Sequence, residues 1–304
     1  MDLMRRIEAG ETVILDGATG TELEKRGVPM DGVAWCAVAL ATHPDTVREV
    51  HEDYIRAGAE VIITNTFPAA RHVLEPAGLG DRFQELNTLA VELVRRAREN
   101  AAENEVCIAG SISTFQPHND DSLAPPEEKA RANYREQAEV LAEAGADLIV
   151  LEMLCDIEQS TYAVEEAVST GLPVWAGFSC KRAEDGTVML WNGGPPLTEA
   201  LEAVPLGGVS LVSVMHTLVE DAPAALAEVV ERWSGPVGAY PHAGRFEMPN
   251  WRFTDAIAPE DFAEAAMKWH GFGARVIGGC CGIGPDHIRA LAQRFAPHGG
   301  VHNG

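Results

Sequence analysis

Two adjacent cysteines, Cys280 and Cys281, sit in the run Val-Ile-Gly-Gly-Cys-Cys-Gly-Ile-Gly at residues 276–284. Thiolates are soft ligands, and a strand end framed by glycines can turn both toward one zinc ion. The glycine frame lets the backbone bend sharply and approach a ligand closely. A buried pair in a core strand, or a vicinal disulfide, is the alternative. With one further ligand the pair would hold zinc and leave a fourth position open, as catalytic zinc sites do. Asp16 and Glu152 each end a short apolar run. Two such carboxylates pair naturally with a cation, such as the ammonium of an amino acid, because isolated buried carboxylates are costly.

These residues need a scaffold, and the apolar runs supply one. Val13-Ile14-Leu15 ends at Asp16, Val61-Ile62-Ile63 at Thr64-Asn65-Thr66, and Val106-Cys107-Ile108-Ala109 at Gly110-Ser111. Leu148 to Leu151 ends at Glu152, Val174 to Phe178 at Ser179-Cys180, and Val209 to Val214 at Met215-His216. Val237 to Tyr240 ends at Pro241-His242, and Arg275-Val276-Ile277 at the cysteine pair. Continuous β-branched runs suit strands buried on both faces, as in a parallel sheet. Helical periodicity fills the gaps over 46–57, 126–144, 157–169, 222–233, 259–270 and 285–295, with proline near several starts. Ala57-Gly58-Ala59 and Ala144-Gly145-Ala146 read as helix ends re-entering a sheet. Eight strand–helix units predict a (β/α)8 TIM barrel over residues 1–304 as a single domain, with a frayed tail from about Pro297. A doubly wound sheet is the alternative, but no Gly-x-Gly-x-x-Gly follows the first strand. In a barrel, the polar residues that end the runs gather at one mouth, where catalysis belongs.

The formal net charge of −23 disfavours nucleic acid and anionic membrane as partners. No run of about 18 apolar residues is present, so a membrane span is not expected. Residues 1–10 carry Asp2, Arg5, Arg6 and Glu8 and lack the apolar segment of a secretory signal. Six cysteines without framework spacing read as reduced thiols of a cytoplasmic protein. A homo-oligomer is left open.

Together these segments resemble the homocysteine S-methyltransferase family from about Val13 to Ile288. The resemblance is carried by Asp16-Gly17-Ala18-Thr19-Gly20-Thr21-Glu22-Leu23, by His43-Pro44-Asp45 with His51 through Glu60, and by Thr64-Asn65-Thr66-Phe67. Gly110-Ser111-Ile112, Ala144-Gly145-Ala146-Asp147, Leu151-Glu152 and Tyr240-Pro241 with Gly244 add to it, and Gly278-Gly279-Cys280-Cys281-Gly282 is the strongest match. It implies a zinc-dependent enzyme whose metal binds the homocysteine thiol for attack on an activated methyl group, giving methionine. It also implies that Asp16 and Glu152 hold the homocysteine amino group, with Gly17 and Asn65 beside them.

Three departures from the family pattern bear on the site. The family's third zinc ligand is a cysteine after the sixth strand, and the corresponding stretch here is Ser213-Val214-Met215-His216. His216 is therefore expected to complete the site with Cys280 and Cys281; Cys155, Cys180 and His242 are the other candidates. Tyr240-Pro241-His242 stands where the family usually has asparagine after the proline, and the loop Ser111 to Pro117 departs from that of sulfonium-using members. For the donor pocket, Trp35 and Ser111 are the candidates. Trp35 matches a tryptophan of the betaine-using branch, and an indole face attracts a methylated cation. Pro68 and Met153 replace that branch's tyrosines, leaving its cage incomplete. The barrel is expected to use up the chain, leaving no corrinoid- or folate-binding module. The expected reaction is methyl transfer from a small donor, an S-methylmethionine-like sulfonium ahead of betaine, to homocysteine. A zinc enzyme acting on another thiol, a selenol or a methylated compound, and a non-catalytic binding barrel, are the rivals.

Overall fold

The computed structural model describes residues 3–247, 252–253 and 255–296. Eight strands carry the architecture: β1 (Val13–Ile14), β2 (Val61–Ile63), β3 (Cys107–Ser113), β4 (Leu148–Leu154), β5 (Val174–Arg182), β6 (Leu211–Leu218), β7 (Val237–His242) and β8 (Ala274–Ile277). Each pairs in parallel with the next from β2 to β8, and β8 pairs with β1. A parallel bridge from Leu15 to Val61 joins β1 to β2 and completes the circuit. The expected (β/α)8 barrel is thus the observed fold. The tail from about Pro297 lies outside the described residues.

Alternation along the strands explains why their apolar runs are unbroken. Val13, Leu15, Val61, Ala109, Val150, Trp175, Leu211, Met215, Tyr240 and Val276 form one buried cluster inside the barrel. Their neighbours Ile14, Ile62, Ile108, Ile149, Ala176, Val212, Ala239 and Ile277 belong to a second cluster against the helices. Both faces are dry, so both strand positions are apolar. Leu3, Met4 and Ile7 of the N-terminal helix Leu3–Glu8 pack on the inner cluster and plug the barrel floor.

The helices expected from periodicity occur as Pro44–Ala57, Glu127–Ala144, Ile157–Val168, Ala222–Arg232, Pro259–Gly271 and Pro285–Phe295. The first two end on Gly58 (φ 106°) and Gly145 (φ 96°), left-handed caps that suit glycine. The helix Phe83–Ala101 was not anticipated; its buried face mixes Ala90 and Asn87 with larger side chains, which blurs the apolar stripe. Nor was the hairpin that pairs β5 with Val188–Leu190. No helix among the described residues is long and apolar enough to cross a membrane.

Two strand ends are irregular where it matters. Register shifts interrupt β4 between Leu151 and Leu154, and β6 between Met215 and Leu218. Met153 (φ 55°) and His216 (φ 40°) occupy these bulges in the left-handed region. Such conformations are costly for non-glycine residues and re-aim side chains at strand ends.

Candidate active site

The cysteine loop after β8 is fixed by its backbone. Gly279 N–H donates to the Asp16 carbonyl (3.0 Å), Cys280 N–H to the Pro241 carbonyl (2.8 Å), and Ala243 N–H to the Cys281 carbonyl (2.9 Å). The Thr21 hydroxyl accepts from Gly282 N–H at 3.1 Å. Buried Tyr54 donates its hydroxyl to both Ala18 O (3.1 Å) and Ile283 O (3.0 Å), binding the β1 loop to the cysteine loop.

Gly17 lies at that junction. A Cβ there would stand 2.3 Å from the Ile283 carbonyl oxygen and 2.9 Å from the Tyr54 ring. Gly17→Ala is therefore expected to lower stability by about 2–3 kcal/mol through overpacking. Urea unfolding checks this, and an unchanged midpoint would show that the loops can separate freely.

The fixed loop and the bulge of β6 bring three ligands together. The side-chain ligand atoms of His216, Cys280 and Cys281 all lie within 4.8 Å of one another. Cys280 Sγ is 3.5 Å from His216 Nδ1 and 3.8 Å from Cys281 Sγ. The Cys280 thiol donates to Cys281, which, with His216 close by, holds the Cys281 thiol well below its ordinary range. Cys155, Cys180 and His242 join no such group among the described residues. His242 instead lays its ring 4.7 Å from that of His216, and Trp191 crosses both edge-on at 5.8 and 5.3 Å. Burial, with His216 adding to it, pushes the His242 imidazole down to about 3, so it is neutral near pH 7.

Glu152 ends the regular part of β4, is 6% exposed, and accepts the Ser111 hydroxyl at 2.5 Å. Burial pushes its carboxyl up to about 7; the Ser111 hydrogen bond opposes this and Cys281 adds to it. Asp16 is fully buried. Its Oδ2 accepts Ile63 N–H at 2.9 Å, while Oδ1 has no hydrogen-bond partner among the described residues. Burial holds its carboxyl far above the usual range, against the Ile63 hydrogen bond and with Glu152 adding to it.

A cavity of about 90 Å³ joins these parts, and Gly17, Trp35, Asn65, Glu152, His216, Cys280 and Cys281 line it. Asp16 and Ser111 are not on its wall; Ser111 stands behind Glu152 as its hydrogen-bond donor. Asn65 spends its side chain locally, donating to Cys36 O (3.0 Å) and accepting from Cys36 Sγ (3.1 Å), and so holds the segment that carries Trp35. Trp35 itself has φ 40°.

Sequence reasoning missed the rest of the aromatic wall. Phe67 meets Trp35 edge-on at 6.2 Å and Phe115 at 5.6 Å, and all three rings line the cavity with Met153 and Met215. The available signal was an aromatic residue just beyond each of two strand ends. Two phenylalanines thus complete a wall that Pro68 and Met153 left open in the sequence.

Comparison with known proteins bears on the family and the fold. The family model described as homocysteine S-methyltransferase matches residues 13–295. Homocysteine S-methyltransferase 4 of Zea mays is 30% identical over 94% of this chain and 90% of its own length. Betaine–homocysteine S-methyltransferase 1 of Danio rerio is 30% identical over 98% of this chain and 76% of its own. The metallated form of the homocysteine methyltransferase MmuM from Escherichia coli superposes with a TM-score of 0.76 at 28% identity, covering 93% of this chain and 96% of that one. The chain belongs to the homocysteine S-methyltransferase family.

Proposed function

We propose that this protein is a zinc-dependent methyltransferase of the cytoplasm, a single barrel over residues 1–304 that moves a methyl group from a small activated donor to the thiol of homocysteine. The observation that carries this reading is the grouping of His216, Cys280 and Cys281 on the wall of a cavity that also holds Glu152. The donor set fits zinc. A tetrahedral ion with bonds of about 2.3 Å to sulfur and 2.0–2.1 Å to nitrogen spaces its ligands roughly 3.5–3.8 Å apart. The 3.5 and 3.8 Å separations from Cys280 Sγ match that spacing, and all three ligand atoms lie within 4.8 Å of one another. Zinc bound there would supply a deprotonated substrate thiol that keeps a lone pair for attack.

The remaining work falls to the chain. Glu152 offers its carboxylate to the homocysteine ammonium, whose charge favours ionisation of that carboxyl, and so fixes the amino end away from the reacting sulfur; Asp16, off the cavity wall, holds Ile63 N–H. Trp35, Phe67 and Phe115 present ring faces and edges to a methylated cation and exclude water from it. When the methyl carbon bonds to the acceptor sulfur, the donor heteroatom keeps the bonding pair and leaves neutral, so no acid need protonate it. In-line displacement of this kind depends on positioning, which the rigid wall provides.

An S-methylmethionine-like sulfonium is the preferred donor and betaine the second. Methionine formation is to be measured with S-methylmethionine, betaine and methyltetrahydrofolate, with metal content determined on the same sample. The expected result is turnover with the sulfonium, less with betaine, and about one zinc per chain. No methionine from any donor overturns the homocysteine reading and leaves another thiol acceptor or a non-catalytic barrel.

A further inference from the structure

Behind Met153 and Phe115 lies a second chamber of about 320 Å³, sharing those two side chains with the central cavity. The central cavity alone is smaller than ordinary small-ligand sites of roughly 300–1,000 Å³, so the body of a donor needs further room. Trp191 forms one wall of the chamber and turns its ring edge to His216.

The chamber is built of acceptors. Asp121, Asp156 and Glu158 line it, and none of its described lining residues is a lysine or arginine. Each carboxylate is held by a local donor: Asp121 by Asn192 (3.1 Å), Asp156 by Gln159 N–H (2.7 Å) and Glu158 by the Tyr162 hydroxyl (2.7 Å). Those bonds fix the carboxylates without neutralising them. Burial raises the Asp156 carboxyl, and the charges of Asp121 and Glu158 raise it further. Gln116 is a separate observation. It lines the same chamber, is 2% exposed, and donates Nε2 to Thr114 O (2.9 Å). Its Oε1 has no hydrogen-bond donor among the described residues, although a buried carbonyl normally has one. An ammonium supplies both the missing donor and the missing charge.

We propose that this chamber is a subsite for the end of the methyl donor remote from the transferred methyl, and that it selects an ammonium there over a carboxylate. The proposal rests on the methyltransferase reading. It orders donors by their tails: an amine tail is favoured, an amino-acid tail is accepted, and a bare carboxylate tail is disfavoured. Methyl carriers with anionic tails are excluded on the same ground.

The test uses three dimethylsulfonium compounds with an aminopropyl tail, a carboxyethyl tail, and both groups together as in S-methylmethionine. Each is titrated calorimetrically into the purified metal-loaded protein, and each is assayed with homocysteine. The amine tail is expected to bind on the order of tenfold more tightly than the carboxylate tail, since three partly screened charges contribute a few-fold each. In the combined Asp121→Asn, Asp156→Asn, Glu158→Gln protein that ratio falls toward one while the KM for homocysteine stays. These substitutions keep an oxygen for Asn192, Gln159 N–H and Tyr162. Gln116→Met weakens the amine tail a few-fold and leaves the carboxylate tail alone. Equal binding of both tails, or a ratio unmoved in the combined variant, overturns the subsite. Tail selectivity in the titration with no methyl transfer overturns the methyltransferase reading and supports the subsite.

Discussion

The Cys281→Ala protein is expected to lose nearly all of its bound zinc, and methyl transfer is expected to fall by far more than 100-fold. Changes one shell removed from a metal commonly cost about 10–100-fold, and loss of a direct ligand from a three-residue set should exceed that. The fold should survive, because the Cys281 loop is held by its backbone: Ala243 N–H on the Cys281 carbonyl and Gly282 N–H on Thr21. The thermal midpoint of the metal-free protein should therefore stay within a few degrees of the unsubstituted chain, which separates loss of ligand from loss of structure. His216 is tested by a pair of variants. His216→Ala should lower zinc content, and His216→Cys should restore it by replacing a neutral imidazole with a thiolate. Both variants inherit the same left-handed backbone at φ 40°, so strain does not distinguish them. Full zinc affinity in the His216→Ala protein would remove His216 from the ligand set.

The sequence is most legible where one residue type has one use. Eight apolar runs mark eight strands because a barrel strand is dry on both sides, and the same fact hides which side each residue faces: Val13 and Ile14 are both apolar, yet one points inward and the other toward the helices. The cysteine pair is legible because glycines on either side make sense only if the backbone turns closely there. His216 is found by its position at the end of a run, but its left-handed turn belongs to a bulge that no local pattern in β6 announces. Asn65 shows the limit of reading polar residues at strand ends as ligands, since its amide serves Cys36. Phe67, Phe115 and Trp191 were out of reach for a related reason. They sit on loops or beside a hairpin whose paths are set by tertiary contacts, so the meeting of Phe67 and Phe115 on the central cavity, and of Phe115 and Trp191 on the chamber beside it, is a property of the folded chain.

Glu152→Gln is expected to move stability and binding in opposite directions. In the metal-free protein burial holds the Glu152 carboxyl at about 7, whereas an unfolded glutamate titrates near ~4.3. Between those values the folded chain keeps a proton that the unfolded chain has released. The stability tied to that proton is complete below about pH 4 and is lost as pH rises through about 7. At pH 8 the unsubstituted protein bears nearly the whole cost of an ionised buried carboxylate, about 4 kcal/mol from a shift of this size. The amide of the Glu152→Gln protein does not ionise, and its carbonyl can still accept the Ser111 hydroxyl. The variant should therefore be the more stable protein in urea at pH 8, and the two midpoints should converge near pH 4. Asp16 is shifted in the same direction, so some loss of stability with rising pH remains in both. Binding should respond the other way. A hydrogen bond to a charged partner contributes about 1.5–3 kcal/mol, so the KM for homocysteine is expected to rise roughly 10–100-fold, with a smaller change in kcat. A KM that does not move means that the homocysteine ammonium sits elsewhere. Equal urea midpoints at pH 8 mean that the cavity hydrates Glu152 well enough to ionise it without cost.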